Sequence, residues 1–137
     1  MTPTKVTKAF IAKINAHTPG GLYELMTEDH IFIDGGGDVT KGRKAMRKAW
    51  QTYFSMMPDY SIIAEHILAE KNIVGIFGKA SGTYTSDGKL KPENKWQVPA
   101  AWLAIIRDDK VAHWQVYTDS DSVSKIVARE QEHSTKS

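Results

Sequence analysis

At Pro58 the hydrophobic period of this chain changes from that of helices to that of strands, and this break restricts the folds open to it. Before it, Met46, Ala49, Trp50, Tyr53, Phe54 and Met57 recur at offsets of three and four, the spacing of one buried helical stripe, and Pro58 closes that helix. Val6, Ala9, Phe10, Ile14 and His17 repeat the pattern near the N-terminus, with Thr2 as N-cap and Pro3 at the tolerated first position. Thr18-Pro19 starts a second, short helix carrying Leu22, Leu25 and Met26, ahead of a short strand from His30 to Asp34. After the break, Tyr60 to Glu70, Asn72 to Thr85, Trp96 to Arg107 and Lys110 to Thr118 read as long strands, rich in Ile, Val, Thr and aromatic residues. The turns between them are tight enough for antiparallel hairpins, except for the longer loop Ser86 to Lys95. Val123, Ile126 and Val127 predict a short last helix, with a frayed polar tail over 129–137.

Helices first and antiparallel strands afterwards predict a single α+β domain over residues 1–128. A curved, mostly antiparallel sheet wraps around the N-terminal helices and forms a cone with a pocket at its open end. The chemistry is expected near the joint between the second and third helices. There His30-Ile31-Phe32-Ile33-Asp34 is an apolar strand ending in one acid, followed by Gly35-Gly36-Gly37 and by Lys41-Gly42-Arg43 at the start of the third helix. Side chains alternate along a strand, so His30, Phe32 and Asp34 share a face and the acid lies on an apolar surface. A carboxylate there is either bonded to the glycine turn for structure or kept as a base for chemistry.

Composition removes several classes of function. There is no cysteine, which excludes disulfides, thiolate metal sites and cysteine nucleophiles. With neither a signal-type leader nor a membrane-length apolar run, the cytoplasm is the expected compartment and no membrane partner is expected. The basic run Lys41, Arg43, Lys44, Arg47 and Lys48 reads as the solvated face of the third helix; with a net charge of only +2 and no interleaved aromatic residues, no nucleic-acid partner is expected. The histidines at 17, 30, 66, 113 and 133 show no ligand spacing, so no metal is expected.

The order helix, helix, strand, helix, four strands, with three local stretches, resembles the nuclear transport factor 2-like superfamily, which includes ketosteroid isomerase and the SnoaL-like polyketide cyclases. Those stretches are Met26-Thr27-Glu28-Asp29-His30-Ile31-Phe32-Ile33-Asp34, the glycine-led helix start Lys41-Gly42-Arg43-Lys44-Ala45-Met46, and Ile105 to Tyr117 with its His113-Trp114 pair, followed by Asp119. The resemblance covers Thr4 to Val127. It implies a cystatin-like α+β barrel, a homodimer, a hydrophobic small molecule as ligand, no cofactor, and proton-transfer chemistry of the isomerase or cyclase kind. Carried over residue by residue, Asp34 falls where isomerase members have their general base. Phe10 and Leu103 fall where those members have a tyrosine and a second aspartate, and neither can donate a hydrogen bond to an enolate. Tyr53, Trp96 and Trp102 are the remaining candidate donors, and in a cyclase His113 or Asp119 could share the acid's part.

Asp34 is thus the candidate catalytic residue, and His30, Phe32, Trp50, Tyr53, Phe54, Trp96, Trp102, Leu103, Trp114 and Val116 are the candidate ligand wall. Bland readings stand beside these. His30 and the aromatic stripe serve equally as core, Asp119 as the cap of the last helix, and His113 belongs outside if strand phase sends Trp114 and Val116 inward. Three functions follow: a cofactor-independent enzyme, a binding protein without turnover, or a dimeric assembly domain, whose cone would be filled solid.

Overall fold

The computed structural model describes residues 1–135, with side chains through 132. The elements run α1 (Pro3–Asn15), α2 (Pro19–Glu24), β1 (Met26–Ile33), β2 (Val39–Lys41), α3 (Arg43–Met56), β3 (Ser61–Glu70), β4 (Ile73–Thr83), β5 (Lys95–Arg107), β6 (Lys110–Thr118) and α4 (Asp121–Thr135). Thr2 caps α1 by accepting from the Lys5 amide at 3.2 Å, and Pro3 occupies the first turn, where no amide is needed. Met46, Trp50 and Phe54 form the buried stripe of α3.

The sheet order is β2-β1-β6-β5-β4-β3. Every pairing is antiparallel except β1 with β6, where Phe32 lies beside Trp114. The architecture is the expected curved, mostly antiparallel sheet around the helices, left unclosed between β2 and β3. The β5–β6 hairpin turns through Asp108 and Asp109, both left-handed at φ 54° and 59°, the primed-turn geometry that matches strand twist.

β3 carries a bulge between Ala64 and His66, a device that bends a strand and increases its twist. Opposite it stands Gly78 on β4, where a Cβ would lie 1.8 Å from the Ile63 carbonyl oxygen. Only a residue without a side chain lets the two backbones come this close. The coiled end is pinned to the helices from several directions. Asn15 exchanges two hydrogen bonds with the Ile62 backbone, at 2.8 and 3.1 Å, and the Asp59 carboxylate accepts from the Thr83 amide and hydroxyl, both at 2.7 Å.

Three elements depart from the sequence pattern. Met26 opens β1 instead of closing the second helix, because it pairs with Val111 of β6 and is fully buried there. The three-residue β2, lacking any apolar alternation, reads in sequence as part of a turn. α4 continues past its apolar stripe through residues expected to fray: Arg129 donates to the Glu93 carbonyl and to Asn94, and Glu130 lies 3.8 Å from Lys91. The last two residues of the expected tail, 136–137, lie outside the described residues. The basic run is not wholly solvated either, since Arg43 and Arg47 close on the Tyr23 ring at 4.3 and 5.4 Å.

Gly78→Ala is expected to lower the unfolding free energy by about 3 kcal/mol, the upper end of overpacking penalties, or to prevent folding. Gly36→Ala, whose added carbon comes no closer than 3.4 Å to another atom, serves as the control in the same urea titration. Equal midpoints for the two variants would contradict the crowding at the bulge.

Candidate functional site

Between α3 and the concave face of the sheet lies an open cavity of about 300 Å³. Six aromatic residues stand on its wall: Phe32, Trp50, Tyr53, Tyr60, Trp96 and Trp114. Their rings support one another, with Tyr53 and Tyr60 edge to face at 4.9 Å and Tyr60 tilted against Trp96 at 6.1 Å. Space remains because neighbouring strands turn small side chains inward side by side: Ala80 pairs with Val98, and Ala100 pairs with Thr118. The polar lining gathers at the half-buried end, in Asp34, Thr118 and Ser120, with Val123 of α4 beside them.

Asp34 follows the last residue of β1 and is half-buried. Its Oδ1 accepts from the amides of Gly36 and Asp38 at 2.9 and 3.0 Å, so this oxygen organises the glycine turn. Its Oδ2 has no hydrogen-bond partner among the described residues and belongs to a side chain on the cavity wall. The turn-bonding role foreseen for this acid is carried by Oδ1 alone. Gly35 permits the arrangement, since a Cβ there would meet Thr118 Cγ2 at 3.2 Å.

Phe32, Trp50, Tyr53, Trp96, Trp114 and Val116 line the cavity together with Asp34, whereas His30, Phe54, Trp102 and Leu103 do not. His30 is fully buried in the core, with Nδ1 2.6 Å from the Val111 carbonyl, to which it donates, and its ring 6.2 Å from Phe10. Phe54 turns to the other flank of α3 and stacks on His17 at 4.3 Å. Trp102 lies deeper, 2% exposed and 6.4 Å from the Trp114 ring. Leu103 alternates with the inward Trp102 and Ala104, so it occupies the outer face of the sheet.

In β6 a register shift at Ala112 keeps both Val111 and Trp114 inward, and His113 faces outward, where its Nε2 lies 3.1 Å from Gln115 Oε1. Asp119 accepts from the Asp121 amide at 3.0 Å and caps α4. The candidate wall omitted Gly35, Met46 and Ala49, and also Tyr60, Ala80, Val98, Ala100, Thr118, Ser120 and Val123, all of which line the cavity. Strand alternation from Ile62 and Trp102 would have reached Tyr60 and Ala100; nothing local marks Val123, which arrives from another element.

Burial pushes the Tyr53 phenol well above its ordinary value, and burial followed by the neighbouring Tyr53 does the same to Tyr60. Both are neutral hydroxyls at any physiological pH. Burial lowers the His30 pKa, partly offset by its bond to Val111. Among the described residues, no three His, Asp or Glu side chains are grouped as a metal ion would require, and no helix is long and apolar enough to cross a membrane.

Residues 7–114 match the profile of the SnoaL-like domain. No curated protein matches the chain. Among solved structures, a protein from Catenulispora acidiphila with a ketosteroid isomerase-like fold, in complex with trimethylamine, is similar at 21% identity and a TM-score of 0.77, over 90% of this chain and 91% of that one. A candidate SnoaL-like polyketide cyclase from Shewanella denitrificans is similar at 13% identity and a TM-score of 0.79, over 93% and 97%. An epoxide hydrolase from M. tuberculosis is similar at 12% identity and a TM-score of 0.75, over 93% and 90%. At these identities the likeness carries the fold and no particular activity.

The His30 shift has a consequence for stability. Below about pH 6.5 the unfolded chain takes up a proton at this ring while the folded chain resists it, so stability is expected to fall as pH drops through that value. Urea midpoints between about pH 7 and pH 5 test this against His30→Asn, which keeps a donor for Val111 but does not titrate. Equal pH slopes in the two proteins would contradict the assignment.

Proposed function

The chain belongs to the SnoaL-like domain family, and we propose that it admits a small hydrophobic carbonyl compound to this cavity and moves a proton on it with Asp34, as a cofactor-independent isomerase or cyclase would. The observation that carries this reading is one unengaged carboxylate oxygen on the wall of an aromatic hollow. Oδ2 takes a proton from the carbon beside the carbonyl, the electron pair passes to the carbonyl oxygen, and the proton returns to the same or another carbon. No oxidant or cofactor enters that balance. The apolar walls hold the substrate at one orientation against the acid.

A second reading, ligand binding without turnover, is favoured by one specific feature. Phe10 packs on Trp114 in the core at 5.0 Å and Leu103 lies on the outer face, so neither stands where it could hold a developing oxyanion. The solid interior required of a purely structural assembly domain is not what the chain has.

We propose also that two copies pair through the outer face of the sheet. Ile63, Leu68, Ile73, Phe77 and Tyr117 are about half exposed or more there, side by side in register with Leu103 and Ile105.

Incubation with α-tetralone in deuterated water reads the chemistry directly, through loss of the proton signals beside the carbonyl. The protein is expected to accelerate exchange over buffer, and Asp34→Asn to slow it by about 100-fold or more while still binding the ketone. Binding with no acceleration by either protein would select the second reading. For the assembly, sedimentation equilibrium is expected to give a dimer for the wild type and a monomer for Phe77→Glu; a wild-type monomer at high concentration would overturn the pairing.

A further inference from the structure

Most polar groups near the cavity are already engaged. The Trp96 indole donates to Met57 Sδ at 3.3 Å, the Thr118 hydroxyl donates to the Pro99 carbonyl at 2.8 Å, and the Trp50 indole N–H, without a partner, is sealed away from solvent. The hydroxyls of Tyr53 and Tyr60 differ. Both side chains line the cavity, Tyr60 is only 7% exposed, and neither hydroxyl has a hydrogen-bond partner among the described residues. Neither oxygen is among the fully buried atoms without a partner, so each opens onto the cavity and can exchange water for an acceptor.

The chain nevertheless fixes Tyr60 with care. His17 donates to its carbonyl at 2.6 Å from a left-handed backbone position, its amide donates to the Met57 carbonyl at 3.1 Å, and the preceding Asp59 is tied to Thr83. Its ring sits edge to face on Tyr53. Such support from a surrounding layer of bonds holds a donor in one place before any ligand binds.

We infer that Tyr53 and Tyr60 form a donor site for a neutral acceptor, a carbonyl or ether oxygen, on a small planar ligand. The inference rests on the cavity reading above and extends it to a substrate class. Planarity follows from the six rings of the wall. Neutrality follows from the lining, which contains no Lys, Arg or His to balance a negative charge, while both phenols, raised by burial, remain donors. Size follows from volume: a cavity of about 300 Å³ holds two fused rings, a ligand of roughly ten to fifteen non-hydrogen atoms. With the oxygen on the two phenols, the adjoining carbons extend toward the polar end where Asp34 stands. The pair would then supply the donor that Phe10 and Leu103 lack.

Calorimetry with α-tetralone and with tetralin, the same ring system without the oxygen, tests the inference in the whole protein. The wild type is expected to bind the ketone about tenfold more tightly than the hydrocarbon, one net hydrogen bond's worth of discrimination. In Tyr60→Phe, and more fully in Tyr53→Phe/Tyr60→Phe, the ratio is expected to approach one through weaker ketone binding, with tetralin affinity unchanged. Because the hydroxyls have no internal partner, neither variant is expected to melt below the wild type, which separates a ligand role from a structural one. A wild-type ratio near one, a ratio that survives the double variant, or no binding of either compound would overturn the inference. Ketone preference that depends on the tyrosines without proton exchange would sustain it while removing the catalytic reading; exchange that depends on Asp34 with an unchanged ratio in the double variant would do the reverse.

Discussion

A sheet bent sharply around one helix encloses more volume than its own inward side chains fill, and the rest of this molecule follows from that mismatch. The bend depends on the β3 bulge and on Gly78, and the unfilled volume on Ala80, Val98 and Ala100 standing between Tyr60, Trp96 and Trp114. Were the 300 Å³ sealed and dry, cavity costs of about 24 cal/mol per Å³ would amount to about 7 kcal/mol, comparable with the whole stability of a small domain. The half-exposed end at Asp34, Thr118 and Ser120 relieves that cost by admitting solvent, and it is the opening through which the proposed ligand would enter. Wall and entrance are therefore one feature, set by where the sheet coils and where it stays open.

The two oxygens of the acid at the entrance are unequally engaged. Oδ1 gathers the Gly36 and Asp38 amides and fixes the direction of the side chain, and Oδ2 has no hydrogen-bond partner among the described residues. The proposed chemistry draws on that second oxygen. At Tyr60 the amide and carbonyl are both bonded, to Met57 and His17, and the hydroxyl has no partner among the described residues. Between them lies the span of the wall, apolar enough to strengthen any hydrogen bond formed inside it.

Much of this was legible from residue spacing. The stripe from Met46 to Met57 gave α3 and, with it, Trp50 and Tyr53 on the wall; strand alternation placed Phe32 beside the acid and turned Trp114 and Val116 inward, with His113 outward. What escaped was information that spacing does not hold. Leu103 and Phe54 were assigned to the wall by position, yet one lies on the outer face and the other on the far flank of α3, because a cavity touches only part of any buried stripe. Tyr60 shares the inward phase of Ile62, but alternation says nothing of its hydroxyl, which stands out only once it is seen to lack a partner among the described residues. α4 extends through polar residues because its anchors, Asn94 and Glu93, come from a loop some 35 positions away.

The proposed function requires a single placement: an oxygen-bearing ring system between the buried Tyr60, the half-buried Tyr53 and the half-buried Asp34. A crystal structure of the protein with α-tetralone bound tests it most directly. The expected result is the ketone inside the hollow, its oxygen within hydrogen-bond distance of Tyr60 or Tyr53 and the adjoining carbon facing Asp34 Oδ2. A hollow collapsed onto its own rings, or a ketone turned with its oxygen toward the entrance, would contradict it.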